Sequence, residues 1–256
     1  MKLIHFLGDT AVMSGRVIRH STRSIDTIIT VIAMPIMIML LFVYIFGGAM
    51  NTGDVSYINY ILPGILLFCI ASGVAYSSLR INNDLTKGVF ERFHSMPIAK
   101  ASILGGHVVA SLVFNVVSLL AIFLVAFGMG FRPQADVLGW VLAIVILLLS
   151  VLAFIWIAVT FGLLAKSYEG AGVFSYILML LLFVSSAFAP TDSMPAVIRV
   201  FAKYQPMTPL IESIRSLLLG GTADKTTLSA VLWSLAILGI FCASAMRVYK
   251  RRMKYT

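Results

Sequence analysis

The chain has 256 residues, 60% of them hydrophobic and only 11% charged, with a formal net charge of +9 and a mean hydropathy of +1.01. Soluble domains carry roughly 25% charged residues, so this composition lies far outside the soluble range. Apolar runs of about 20 residues, enough to cross a bilayer, recur along it, which makes it an integral membrane protein.

The first segment, "MKLIHFLGDTAVMSGRVIRHSTRS", has helical periodicity. Ile4, Leu7, Ala11 and Ile18 share one face, and Lys2, Arg16, Arg19, His20 and Arg23 the other. Such a helix, residues 1–26, can lie flat at the interface with its basic side toward anionic headgroups. It is no cleavable signal peptide, because Asp9, Arg16, Arg19, Arg23 and Asp26 stand where an unbroken apolar stretch should be.

Six spans follow, at about 27–47, 58–80, 102–129, 137–164, 171–189 and 228–248. Lys2, Arg16, Arg19, Arg23, Arg80, Lys87, Arg92, Lys100, Lys166, Arg247, Lys250, Arg251, Arg252 and Lys254 then fall on one side. The other side keeps only Arg132, Arg199, Lys203, Arg215 and Lys225. The positive-inside rule therefore puts both termini in the cytoplasm. The first outer loop, "NTGDVSY", has no Lys or Arg at all.

The 190–227 connection carries two short helical patterns broken by "QPMTP". Val197, Val200 and Phe201 make an apolar stripe in the first, and Leu210, Ile214 and Leu217 one in the second. This predicts a pair of short outer helices dipping partly into the bilayer. Glu212 and Arg215, three apart, either pair on one face or stay solvated.

Between the second and third spans lies "NNDLTKGVFERFHSMPIAK". Asp84 fits an N-cap and Pro97 a stop. A helix here puts Asp84, Lys87 and Glu91 on one face and Leu85, Val89, Phe93 and Met96 on the other. A generic amphipathic connector shares that pattern.

The basic residues sit beside apolar runs without interleaved aromatics, so they do not read as a nucleic-acid platform. Cys69 and Cys242 lie inside apolar runs and read as small buried hydrophobes rather than disulfide partners. The histidines show no metal-ligand spacing.

Three stretches carry a resemblance: "YILPGILLF" at 60–68, "NDLTKGVFERFHSMPIAKASILGG" at 83–106, and "FVSSAFAPTDSMP" followed by "YQPMTPLIESIRSLLLGG". Together they resemble the permease subunits of type-2 ATP-binding-cassette exporters, in particular the daunorubicin-resistance-like drug-efflux group. Family members often have Arg where His94 stands, so this chain loses a permanent charge there. The resemblance implies a cytoplasmic coupling helix at 83–97. Asp84, Lys87, Gly88, Glu91 and Arg92 would contact a separate ATPase subunit, and Pro97 would end the helix. It makes 190–227, with Pro209, Glu212 and Arg215, the outer re-entrant helices.

The expected fold is thus all-α, one transmembrane permease domain over 1–256: interfacial helix 1–26, spans one to five in 27–189 with coupling helix 83–97, re-entrant helices 190–227, and a sixth span with a basic tail at 228–256. No Gly-Lys dipeptide occurs, so the chain supplies no P-loop of its own. The chain would bind no cofactor or metal; ATP and Mg belong on the partner. Two ATPase copies, a second permease copy or paralogue, membrane lipids and a hydrophobic small-molecule substrate are the implied partners, in a bacterial plasma membrane.

By the resemblance, a substrate cavity between two permeases would be lined by the first, second and fifth spans. The candidates are Met34, Met37, Phe42 and Tyr44; Ser72, Tyr76 and Ser77; and Ser175, Tyr176, Ser185 and Ser186. Serines in membrane helices also bond the backbone one turn back. Gly106 and Ala110, at small-xxx-small spacing, suit either local packing or close approach of another helix. Asn115 reads as an interhelical hydrogen bond, and the lack of an intramembrane acidic relay argues against a proton-coupled antiporter. A lipophilic drug, antibiotic or lipid-like substrate fits best. The alternatives are a non-transporting anchor or sensor subunit, an exporter of a lipid-linked glycan, and a serine hydrolase using Ser72 and His107, which lacks a nucleophile elbow.

Overall fold

The computed structural model describes residues 2–48 and 56–252. Most of the loop without Lys or Arg, residue Lys254, and the side chains of Lys2, Ile4, His94 and Lys100 lie outside what is described. The described residues are helices joined by turns: α1 Lys2–Thr22, α2 Ile25–Phe46, α3 Tyr57–Thr86, α4 Val89–His94, α5 Lys100–Gly128, α6 Val137–Leu164, α7 Tyr168–Phe183, α8 Ala196–Tyr204, α9 Met207–Leu218 and α10 Lys225–Arg252. Five of them (α2, α3, α5, α6 and α10) are long and apolar enough to cross a bilayer.

The expected fifth span is shorter than its apolar run. Helix α7 has 16 residues, roughly 24 Å against about 30 Å of hydrocarbon. Residues 184–189 turn away instead. Gln205 explains how this end is tolerated: its buried amide donates to the carbonyls of Leu181 (2.7 Å) and Val184 (3.1 Å), acceptors that the helix end leaves without a partner.

Helix α3 is the pillar. Its apolar window is 83% buried, against 17% for α2 and α10, because α2, α5, α6, α7 and α9 all pack on it. Small residues set the close approaches. A Cβ on Gly162 of α6 would lie 2.8 Å from the Ser78 carbonyl oxygen, and Ser78 in turn donates to the Ala171 carbonyl of α7 at 2.7 Å. In α2, Pro35 has no N–H to offer the carbonyl of Val31, four residues back. The buried Cys69 thiol of α3 points at that oxygen, 3.6 Å away.

Helix α1 departs from the two-sided reading. Thr10, Met13, Ser14, Val17 and Ser21 form a third, protein-facing side along α5. There a Cβ on Gly106 would lie 2.5 Å from Met13 Cβ. Gly106 therefore serves packing within the chain. Asp9 adds a clamp, its carboxylate accepting the Ala99 N–H at 2.9 Å where α5 begins. Of the face expected to be apolar, Leu7 and Ala11 are exposed and Ile18 is half-buried.

The two helices of the 190–227 connection are not alike. Val197, Val200 and Phe201 of α8 are exposed, whereas Leu210, Ile214 and Leu217 of α9 are fully buried among α3, α6 and α10. In the last turn of α8, Lys203 pairs with Asp192 at 3.0 Å and holds that exposed carboxyl below its usual range. Arg215 of α9, its side chain only 9% exposed, is the staple. It donates to Glu212 (2.7 Å), to the Tyr60 carbonyl (2.9 Å) and to the Ser186 carbonyl (2.7 Å), and lies 3.8 Å over the Tyr60 ring. The Tyr60 hydroxyl also donates to Ser186. One guanidinium thus joins α9, α3 and the turn after α7, with Pro209 buried in the first turn of α9.

Arg215→Ala removes two hydrogen bonds from a charged donor to buried carbonyls, each worth about 1.5–3 kcal/mol. Thermal unfolding in detergent should show a loss of about 3 kcal/mol. Glu212→Gln, at a half-exposed partner, should cost less than about 1 kcal/mol.

Candidate functional site

Polar residues gather at the end of the bundle where α1, α4, the start of α5 and the end of α10 meet. We call it the basic end, because Arg16, Arg19, Arg23, Arg80, Lys87, Arg92, Lys166 and the α10 tail lie there. Its centre is Asp84, which is not the N-cap of a new helix. Helix α3 continues to Thr86, so Asp84 sits in its last turn, facing inward. Its carboxylate accepts from Arg16 of α1 at 3.0 Å and lies 3.5 Å from His107 Nε2 of α5. The buried His107 ring stacks on Phe90, and the Arg16 guanidinium lies 5.3 Å over Phe93.

The chain then breaks at Gly88, whose φ of +68° suits glycine and strains other residues. Helix α4 is therefore only six residues, Val89–His94. The single face expected to carry Asp84, Lys87 and Glu91 does not exist. Phe90 is the fully buried anchor and packs near Tyr249 of α10 as well. Lys87, Glu91, Arg92, Met96 and Pro97 are exposed, so Met96 leaves the apolar side assigned to it. What remains is a short charged knob held on an apolar peg, with Asp84 beneath it.

A carboxamide also supports this end. Asn82 donates to the carbonyls of Gly162 (3.2 Å) and Ala165 (2.9 Å), tying α3 to the end of α6. Sequence reading missed Asn82 and the Asp84–His107 pairing. The available signal was a run of polar residues continuing a span past its apolar end.

The residues expected along a substrate path divide into two groups. Met34, Met37 and Tyr44 of α2 and Tyr176 of α7 are exposed on the outside of the bundle. Phe42 is half-buried and stacks on Phe188 at 4.8 Å. The serines bond their own helices: buried Ser72 donates to the Phe68 carbonyl, buried Ser77 to that of Gly73 and half-buried Ser175 to that of Gly172. Ser185 and Ser186 lie beyond the end of α7, where Ser185 donates to Leu182 and Ser186 offers its carbonyl to Arg215. Tyr76 reaches the Ser24 hydroxyl at 3.4 Å. Asn115 donates to its own helix at Ser111 rather than across an interface, and it packs against Gly73. Ser72 and His107 are each engaged with other partners.

Residues 9–219 match the family described as ABC-2 type transporter. The "Daunorubicin resistance ABC transporter permease protein DrrB1" of Streptomyces coeruleorubidus is 29% identical over 227 residues, covering 88% of this chain and 80% of its own. The "Probable doxorubicin resistance ABC transporter permease protein DrrC" of Mycobacterium tuberculosis is 23% identical over 252 residues, covering 96% and 90%.

The geometry separates support from surface. Asp84→Ala leaves Arg16 and the buried His107 without their acceptor and should lower stability by about 2–3 kcal/mol. Glu91→Ala, on the exposed knob, should stay within about 0.5 kcal/mol of wild type. Thermal unfolding of the two variants side by side checks the contrast.

Proposed function

Because the chain belongs to the ABC-2 type transporter family, we propose that it is the membrane half of an ATP-driven exporter, powered by a separate nucleotide-binding subunit gripping the knob at the basic end. The observation that carries this reading is the knob itself. Lys87, Glu91, Arg92 and Pro97 stand exposed, while Asp84, Phe90 and His107 fix their base from within. A bundle end facing only water needs no such buried anchoring. A motor that pushes needs a handle that does not give.

In this reading Lys87, Gly88, Glu91, Arg92 and Pro97 form the contact, and Asp84 holds the contact in place from behind. Two ATPase copies, each with ATP and Mg, act on two permease chains. Both termini and the basic end face the cytoplasm of a bacterial cell, as the Lys and Arg distribution favours. The substrate is hydrophobic or amphipathic. Support comes from the drug-resistance names of the relatives and from the apolar, Met- and Tyr-bearing outer faces of α2 and α7, which offer adaptable rather than charged contact. Helix α8, with its exposed apolar stripe, dips into the outer leaflet.

The test is co-purification of the chain with its ATPase, comparing wild type with Glu91→Lys. Reversing an exposed charge at a docking contact should weaken the complex at least about 10-fold, or about 1.4 kcal/mol. ATP hydrolysis stimulated by the permease should fall with it, while the melting temperature is unchanged. A complex of full affinity and activity would move the motor contact away from the knob.

A further inference from the structure

A second feature of the basic end is independent of any motor. Arg16, Arg19, His20, Arg23 and Ser24 line one open cleft of about 520 Å³ where α1 hands over to α2. Arg80 of α3 backs this cleft. It donates to the Val17 carbonyl at 3.0 Å, to the Ser21 hydroxyl and to Nδ1 of His20. A guanidinium has only donors to give, so the Arg80 side chain is spent on these three acceptors and serves as the wall of the cleft.

The charge around the cleft is unbalanced. Arg16 is bonded to Asp84, a carboxylate already shared with His107. No carboxylate among the described residues pairs with Arg19 or Arg23. Asp26, two residues past Ser24, forms no ion pair with them. Three arginines therefore converge with a single, shared counter-charge.

The chain that leads out of the cleft into α2 is apolar. Starting one residue beyond Ser24, Ile25, Ile28 and Ile29 form an exposed stripe at helical spacing on α2, with Ile25 72% exposed. A phosphate in the cleft would leave its acyl chains beside these isoleucines. We propose that this cleft is a binding site for the phosphate headgroup of an anionic membrane lipid, held by Arg16, Arg19 and Arg23. The guanidinium fork matches phosphate oxygens, and the Ser24 hydroxyl adds a short-range donor. The phosphate chemistry alone would also suit a soluble phosphate, but the isoleucine stripe gives only the lipid a place for its tails.

The test uses the full chain in neutral detergent without any ATPase, so it reads this site and not the motor contact. Native mass spectrometry would follow retention of dioleoyl-phosphatidylglycerol and dioleoyl-phosphatidylcholine, with and without millimolar inorganic phosphate. The groove variant is Arg19→Gln with Arg23→Gln. The control, Lys250→Gln with Arg251→Gln, removes equal charge from exposed positions of α10 at the same end. All four substituted residues are exposed, and thermal unfolding verifies each fold. The expected result is preferential retention of phosphatidylglycerol, weakened roughly 30-fold in the groove variant, the size expected of two arginines at a lipid surface, and little changed in the control. Equal loss in both variants would reduce the effect to general charge and overturn the site. So would equal retention of phosphatidylcholine. Displacement of the lipid by inorganic phosphate would overturn the lipid assignment in favour of a soluble anion.

Discussion

The Asp84 carboxylate sits where helices α1, α3 and α5 meet, and each of the other two brings it one partner, Arg16 and His107. A carboxylate removed from water is costly unless paired and hydrogen-bonded. Its position therefore constrains the three helix ends together. The ring stack of Phe90 on His107 and the seating of Phe93 under Arg16 extend that constraint to α4. The exposed knob inherits its position from this buried charge.

The other end of α3 is held in the same manner with the opposite sign. There a buried cation, Arg215, spends its donors on Glu212 and on backbone carbonyls of Tyr60 and Ser186. A 30-residue helix thus has one charge-assisted junction near each end and an almost wholly buried length between them. Pro63 interrupts it only near its start, where Asn59 is tied by its side chain to Arg132. Helices α2 and α10, lightly buried, surround a rigid axis rather than forming one.

Much of this was legible in the residues. The spans and the charge asymmetry between ends followed from hydropathy, while the three-residue spacing of Glu212 and Arg215 allowed either a pair or two solvated charges, and the structure pairs them. The bonds of Ser72, Ser77 and Ser175 to their own helices matched the alternative that a membrane serine bonds the backbone one turn back. Other features were misread for identifiable reasons. Asp84 looked like an N-cap because Asx residues favour helix starts, yet it closes the preceding helix, and Gly88 rather than Asp84 makes the break. The protein-facing side of α1 is built from Thr10, Ser14 and Ser21 beside Met13 and Val17, small polar residues that a hydrophobic pattern does not score. The apolar run through 189 suggested a longer fifth span, because hydropathy cannot register that Gln205 takes up the carbonyls of a helix that stops at Phe183.

By itself the sequence determined what each helix must do with its own surface: apolar runs of spanning length belong in lipid, and lysines and arginines collect on one side. Those properties depend on residues adjacent in the chain or within a turn of each other. Only the tertiary structure decided which charges are handles and which are anchors. Lys87 and Asp84 are three residues apart, but Asp84 meets Arg16, 68 residues away in sequence, and becomes buried support. Lys87 meets no such partner among the described residues and remains exposed. Burial of a charge is set by whether packing brings a counter-charge to it, and periodicity along a single helix does not contain that information.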